Sequence, residues 1–208
     1  MGIRPGRSVA RENRRRRGES GAALIELAMF APFFIFMVMG MMEFGLMWRD
    51  SITVTNSARA GARIGSNAAD DNLADYSVVL NVAGGLSDIN PGDLRKVVVF
   101  EATSPTGQVP AGCLTASGPS CNLYEFPAAA GLVEANFGAD GCVSGEPDDG
   151  WCPADRDNTQ VSTGGGDYLG VYVEVYRGYV TGLFPGGGLV LKDTAVMKIE
   201  PRYAGLTP

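Results

Sequence analysis

"GESGAALIELAMFAPFFIFMVMGMMEFG", residues 18–45, decides how the rest of this chain is read. From Ala22 to Met47 the residues are helix-compatible and mostly apolar. At 1.5 Å per residue they extend roughly 39 Å, enough to cross a bilayer with tilt. Pro32 falls inside the stretch, where it removes the hydrogen bond to the carbonyl of Ala28 and favours a kink that membrane helices tolerate better than soluble ones. Two carboxylates interrupt the run. Glu43, near its far end, can simply close the apolar span. Glu26 sits among apolar neighbours, where a charge at the centre of a membrane helix costs about 2.5–3.5 kcal/mol on insertion scales. A plain anchor explains the length but gives no reason for Glu26. A cleavable signal peptide fits no better, because "EFGLMWRD" follows the apolar run and the first A-x-A, Ala58–Ala60, lies far downstream.

Charge sets the direction of the segment. Residues 1–21 hold seven Arg against Glu12 and Glu19, a net +5, so the remainder carries about −11 within the overall −6 of the 208-residue chain. A basic head, an apolar run and an acidic body is the order of a protein whose N-terminus stays cytoplasmic while the rest is exported. An acidic body excludes nucleic acid as its partner, and the Arg run beside an apolar stretch reads as an orientation signal. Its Arg-, Gly- and Ser-rich composition predicts an unstructured leader over 1–21.

In type IV pilin-like precursors a basic leader ends in Gly, cleavage follows that Gly, and a Glu stands fifth in the mature chain. Gly21 followed by "AALIE" fits, with Ala22 first and Glu26 fifth. Together with "NSARAGARIG" at 56–65, the stretch resembles the TadE-like family of tight-adherence (Flp) pilus assembly proteins, which are small pseudopilins. The resemblance covers residues 18–65. It implies that a prepilin peptidase cuts between Gly21 and Ala22, that Glu26 serves assembly, and that the partners are this peptidase, other pilin or pseudopilin subunits, an inner-membrane assembly platform and membrane lipid. It also implies a single-pass protein of the cytoplasmic membrane with an extracytoplasmic C-terminal domain, associated with a pilus. Arg59 and Arg63 match the family's arginines after the membrane helix; a lipid-headgroup or helix-face role accounts for them equally well.

Beyond the span, residues 49–86 read as a helical extension with a break near Gly65 to Asp71. Leu73, Tyr76, Val79, Leu80 and Ala83 recur at the spacing of one helical face and are expected to pack. Gly61 and Gly65 have G-x-x-x-G spacing outside the apolar run, which points to close helix packing rather than dimerisation. The exported domain, 87–208, reads as strands. "KVVVFEA" at 96–102 is β-branched and bounded by turn formers. "DYLGVYVEVYRGYV" at 167–180 alternates, with Leu169, Val171, Val173 and Val175 on one face. "GLVLKDTAVMKIE" at 188–200 follows the turn "FPGGG" and is expected to close an antiparallel hairpin. Residues 103–166, with little periodicity, read as an insertion between the first two of these strands. They hold Cys113, Cys121, Cys142 and Cys152, an even count in an exported, loop-rich segment that predicts two disulfides. Three connectivities are open, of which Cys113–Cys121 and Cys142–Cys152 close the shortest loops.

No catalytic constellation stands out. With no His in the chain there is no Ser-His or Cys-His dyad, and no phosphate or dinucleotide fingerprint occurs. The glycine triplets 164–166 and 186–188 flank strands and read as turns. Asp148, Asp149, Asp155, Asp157 and Asp167 could supply oxygen ligands but lack the spacing of a Ca²⁺ loop. The expectation is therefore an α+β, pilin-like chain: a long N-terminal transmembrane helix (22–48), then a small antiparallel β-sheet domain with a disulfide-bearing loop insertion. No enzyme activity, metal or cofactor is expected. Two alternatives stay open: a membrane-anchored extracytoplasmic binding module that never enters a pilus, and an exported metal-dependent enzyme using the acidic loop.

Overall fold

The computed structural model describes residues 7–87, 89, 93–144, 150–158, 166–182 and 184–201, with side chains from Gly21 onward. The chain divides into two compact units, Met1–Leu46 and Met47–Pro208. Helix α1, Arg7–Ala68, runs from the first into the second. It takes Pro32 without interruption, as the sequence allows. It also begins inside the expected unstructured leader. Arg is a good helix former, and helix extends from an existing nucleus at little cost, so the Arg14–Arg17 run continues the apolar helix backwards.

Among the described residues the first unit consists of the N-terminal part of this helix. Leu24, Ile25, Phe30, Phe34 and Met41 are all exposed along it. From Gly21 on, α1 is long and apolar enough to cross a membrane.

In the second unit α1 stops at Ala68, where the backbone of Ala69 turns left-handed (φ 52°). The Asp71 carboxylate then accepts the Leu73 N–H at 2.8 Å, and α2, Ala74–Gly85, begins. The expected break falls where the sequence placed it. The face expected to pack does so except at Leu80, which is exposed: Val79 is buried, and Leu73, Tyr76 and Ala83 pack against the core. The centre of the buried face lies beside it, at Ala74, Asp75, Val78 and Val82, and the sequence reading did not pick it out. Asp75 is the cause. A carboxylate on the inward face disguises the apolar stripe, and the larger Leu80 draws the reading round the helix.

Four antiparallel strands follow, β1 Leu94–Ala102, β2 Cys121–Glu125, β3 Tyr168–Gly178 and β4 Gly188–Lys198, in the sheet order β2-β1-β3-β4. β3 and β4 form the expected hairpin, in register from Tyr168 opposite Lys198 to Gly178 opposite Gly188. β2 was not expected. It lies within 103–166 and pairs with β1, so this segment supplies an edge strand and is not merely an insertion. Phe137, Trp151 and Ala129 of the same segment join the main core.

The core lies between helices and sheet. Val54, Ala58 and Ala62 of α1 and Val78, Val79 and Val82 of α2 meet Val97 and Val99 of β1 and Leu169, Val171, Val173 and Val175 of β3. Small residues on α1 set the spacing. A Cβ on Gly61 would stand 2.7 Å from a Val82 methyl, and one on Gly65 would stand 2.9 Å from a Leu169 methyl. The G-x-x-x-G pair thus seats α1 against both α2 and β3, as the packing reading required. On the opposite sheet face Val98, Phe100 and Tyr172 form a second cluster with Cys113 and Cys121.

Candidate functional site

Two regions carry residues of interest, one on α1 and one in the second unit. On α1, Gly21, Ala22 and Glu26 are all exposed and helical. Ala22 and Glu26 are one turn apart, at the i, i+4 spacing that puts two side chains on one face. Gly21 lies inside the helix with nothing near the position of a Cβ. A glycine here costs the helix about 1 kcal/mol relative to Ala and leaves its backbone uncovered. Further along, Arg59 and Arg63 are also i, i+4 and exposed, on the outward side of a helix whose inward side is Ala58 and Ala62.

The second region is a buried polar centre that the sequence did not reveal. Asp75, on the inward face of α2, is fully buried. Its Oδ2 accepts the Nδ2 amide of Asn122 at 2.7 Å and the hydroxyl of Tyr124 at 2.9 Å, both from β2. Its Oδ1 accepts Nη2 of the buried Arg156 at 2.5 Å. The Trp151 carbonyl accepts from Asn122 Nδ2 at 3.0 Å and from Arg156 Nη2 at 3.2 Å, and the guanidinium lies 4.6 Å from the centroid of the Trp151 ring. The Cys142–Cys152 disulfide, adjoining Trp151, ties this loop down; the other bridge is Cys113–Cys121. Loops this short are worth about 2–4 kcal/mol each when closed by a disulfide. Asp75 therefore bolts α2 to both the edge strand and the disulfide loop. Only an acid at an inward helical position hints at it, because its partners lie as far as 81 residues away.

Burial raises the hydroxyl of Tyr124 well above the ordinary tyrosine value, and the neighbouring Asp75 charge raises it further. Burial, then the hydrogen bond from Tyr172 to Glu174 at 2.6 Å, raises Tyr172 likewise. A group with a raised folded pKa contributes stability that is complete below its unfolded value, about 10 for tyrosine, and is lost as pH climbs toward the folded value. Stability of the second unit is thus expected to fall above about pH 10. In a spectrophotometric titration Tyr124 and Tyr172 should ionise only as the unit unfolds. Free ionisation of every tyrosine near pH 10 with the fold intact would show that neither hydroxyl is held in this way.

A groove of about 980 Å³ opens beside this centre, lined by residues that include Asn122, Tyr124, Leu132, Val143 and Asp155. Among the described residues no group of three His, Cys, Asp or Glu side chains is placed to hold a metal ion. Of the acidic positions, Asp157 and Asp167 clamp a loop: the Asp157 N–H donates to the Asp167 carboxylate at 2.7 Å and the Asp167 N–H to the Asp157 carbonyl at 2.9 Å. Asp148, Asp149, Gly164 and Gly165 lie outside the described residues. Gly186 and Gly187 form the β3–β4 turn with φ of 101° and 74°, as their composition suggested.

The α1 region carries the match to a known family. Residues 21–63 match the TadE-like protein family. The TadE-like match begins at Gly21, takes in Ala22, Glu26 and the apolar run, and ends at Arg63 inside α1. It bears out the resemblance drawn from the sequence. The sheet, both disulfides and the Asp75 centre lie outside the TadE-like stretch. No curated protein and no solved structure matches the chain.

Proposed function

We propose that this chain is a pilin-like precursor that serves a tight-adherence pilus as a minor pseudopilin or assembly factor. The observation that carries the reading is that the matched stretch, 21–63, starts at the Gly-Ala junction where an Arg-rich leader meets the apolar helix. The basic head holds the N-terminus in the cytoplasm and the acidic sheet domain is exported, so the helix lies in the cytoplasmic membrane. A prepilin peptidase removes residues 1–21 by cutting between Gly21 and Ala22. The local weakness of the helix at Gly21 supports this, since a scissile bond must leave the helical ladder to enter a peptidase. Loss of the leader removes +5 and leaves an acidic, still anchored chain.

The test is N-terminal sequencing of the protein recovered from membranes. The expected mature start is Ala22, and Gly21→Val should leave the precursor uncut. A mature start near residue 60 would mark an ordinary signal peptide and overturn the reading.

A further inference from the structure

We propose that the tip of the β3–β4 hairpin enters the headgroup layer of the bilayer that α1 crosses, giving the exported unit a second attachment to lipid. The inference rests on the reading of α1 as a membrane span.

Contacts inside the exported unit fix which way the hairpin points. Gly65 of α1 packs on Leu169 and Gly61 on Val171. Thr55 donates to the carboxylate of Asp193, which lies opposite Val173. Asp50 meets Arg177, with Oδ2 and Nε 2.7 Å apart, an ion pair by distance though not an aligned hydrogen bond. As β3 ascends from 169 to 177, its α1 partners descend from 65 to 50. The strand therefore runs antiparallel to α1, toward Met47, the end at which the unit joins the apolar run. Beyond Gly178 the chain continues the same way into the turn.

The composition of that tip is unusual for an exposed hairpin on an acidic domain. From Gly178 to Leu191 there is no charged residue. Val180, Phe184, Leu189 and Val190 are all exposed, and the rings of Tyr179 and Phe184 pack at 5.5 Å. Trp48 of α1, close to Asp50 in sequence, is exposed too. Aromatic and aliphatic side chains without charge are what the membrane–water interface takes up, with Tyr and Trp at headgroup level. In water the same patch would be an association liability. Lipid is the occupant favoured here because the patch sits at the end of the unit where the apolar helix enters.

The test uses the full chain in vesicles of phosphatidylethanolamine and phosphatidylglycerol carrying a nitroxide-labelled lipid, shallow for the probes on the tip and on α2 and deep for the probe in the span. All four native Cys are paired, so an introduced Cys is the sole reactive thiol and takes an environment-sensitive dye. Val180→Cys and Phe184→Cys probe the tip. Val38→Cys probes the span, and Leu80→Cys, exposed on α2, probes the unit away from the tip. Quenching by lipid at Val180 and Phe184 at least about threefold that at Leu80 is the expected result for interfacial insertion. Quenching at Val38 with Val180 and Phe184 no different from Leu80 would overturn the proposal and leave the span intact. A blue-shifted but unquenched dye at the tip would also overturn it, in favour of a second copy covering the patch. No quenching at Val38 would overturn the span itself, and the proposal with it.

Discussion

Glu26→Gln is expected to yield protein that is inserted and cleaved normally but that neither joins nor supports the pilus. The scissile bond between Gly21 and Ala22 is untouched by the change, so processing should match the wild type. What changes is the partner available to a new amine. Cleavage would leave an α-amino group on Ala22, one turn from Glu26, and in an assembly the amine of one subunit can meet the carboxylate of its neighbour inside the membrane. Such a pair offsets much of the cost of burying either charge and fixes the axial register between subunits. Gln keeps the shape and removes the charge. The measurement is pilus yield and incorporation, with the mature mass as the processing control. Normal pili containing normal amounts of the variant would remove Glu26 from assembly and leave it as a residue that snorkels to the inner interface.

Asp75→Asn should destabilise the sheet-bearing unit by about 3–5 kcal/mol, the cost of leaving a buried charge without its partner. Among the described residues Arg156 has no hydrogen-bond partner at Nε or Nη1, and the Asp75 carboxylate is the counter-charge its buried guanidinium contacts. The double variant Asp75→Asn with Arg156→Met should recover most of the loss, since the unpaired charge goes and an apolar chain of similar length covers Trp151. Urea unfolding of the full chain in detergent, followed by Trp151 fluorescence in a Trp48→Phe background, reads both numbers. A single variant within about 0.5 kcal/mol of the wild type, the range of an ordinary surface change, would mean that Asp75 is not the bolt described here.

How much of this was legible in the sequence follows from where the information sits. The α1 span, β1, β3, β4 and the "FPGGG" turn are each written in contiguous residues with a period or a punctuating Gly/Pro, and the structure has all of them. β2 is five residues, Cys121–Glu125, two of them the buried polar Asn122 and a disulfide Cys, so neither alternation nor β-branching announces it. Leu80 was misplaced because α2 is too short for its apolar period to outvote one large exposed residue. The Asp75 centre is non-local: Asp75, Asn122, Trp151 and Arg156 are unremarkable singly, and Arg156 stands between the two acids that caught the eye, Asp155 and Asp157. The proposed roles of Gly21, Ala22 and Glu26 rest on contiguous sequence, because a processing signal has to be read in one dimension.

The contact between Thr55 and Asp193 joins residues 138 positions apart. Its consequence concerns the order of events in making the unit. The stretch of α1 that forms one wall of the core is synthesised well before β4, which completes the hairpin and carries Asp193. Closure of so distant a contact is slow and must wait for most of the intervening chain. Val54, Ala58 and Ala62 therefore stay uncovered until β4 arrives, and on the export proposed above the unit would cross the membrane as an open polypeptide. A chain stalled before residue 188 would leave that wall of the core without its hairpin.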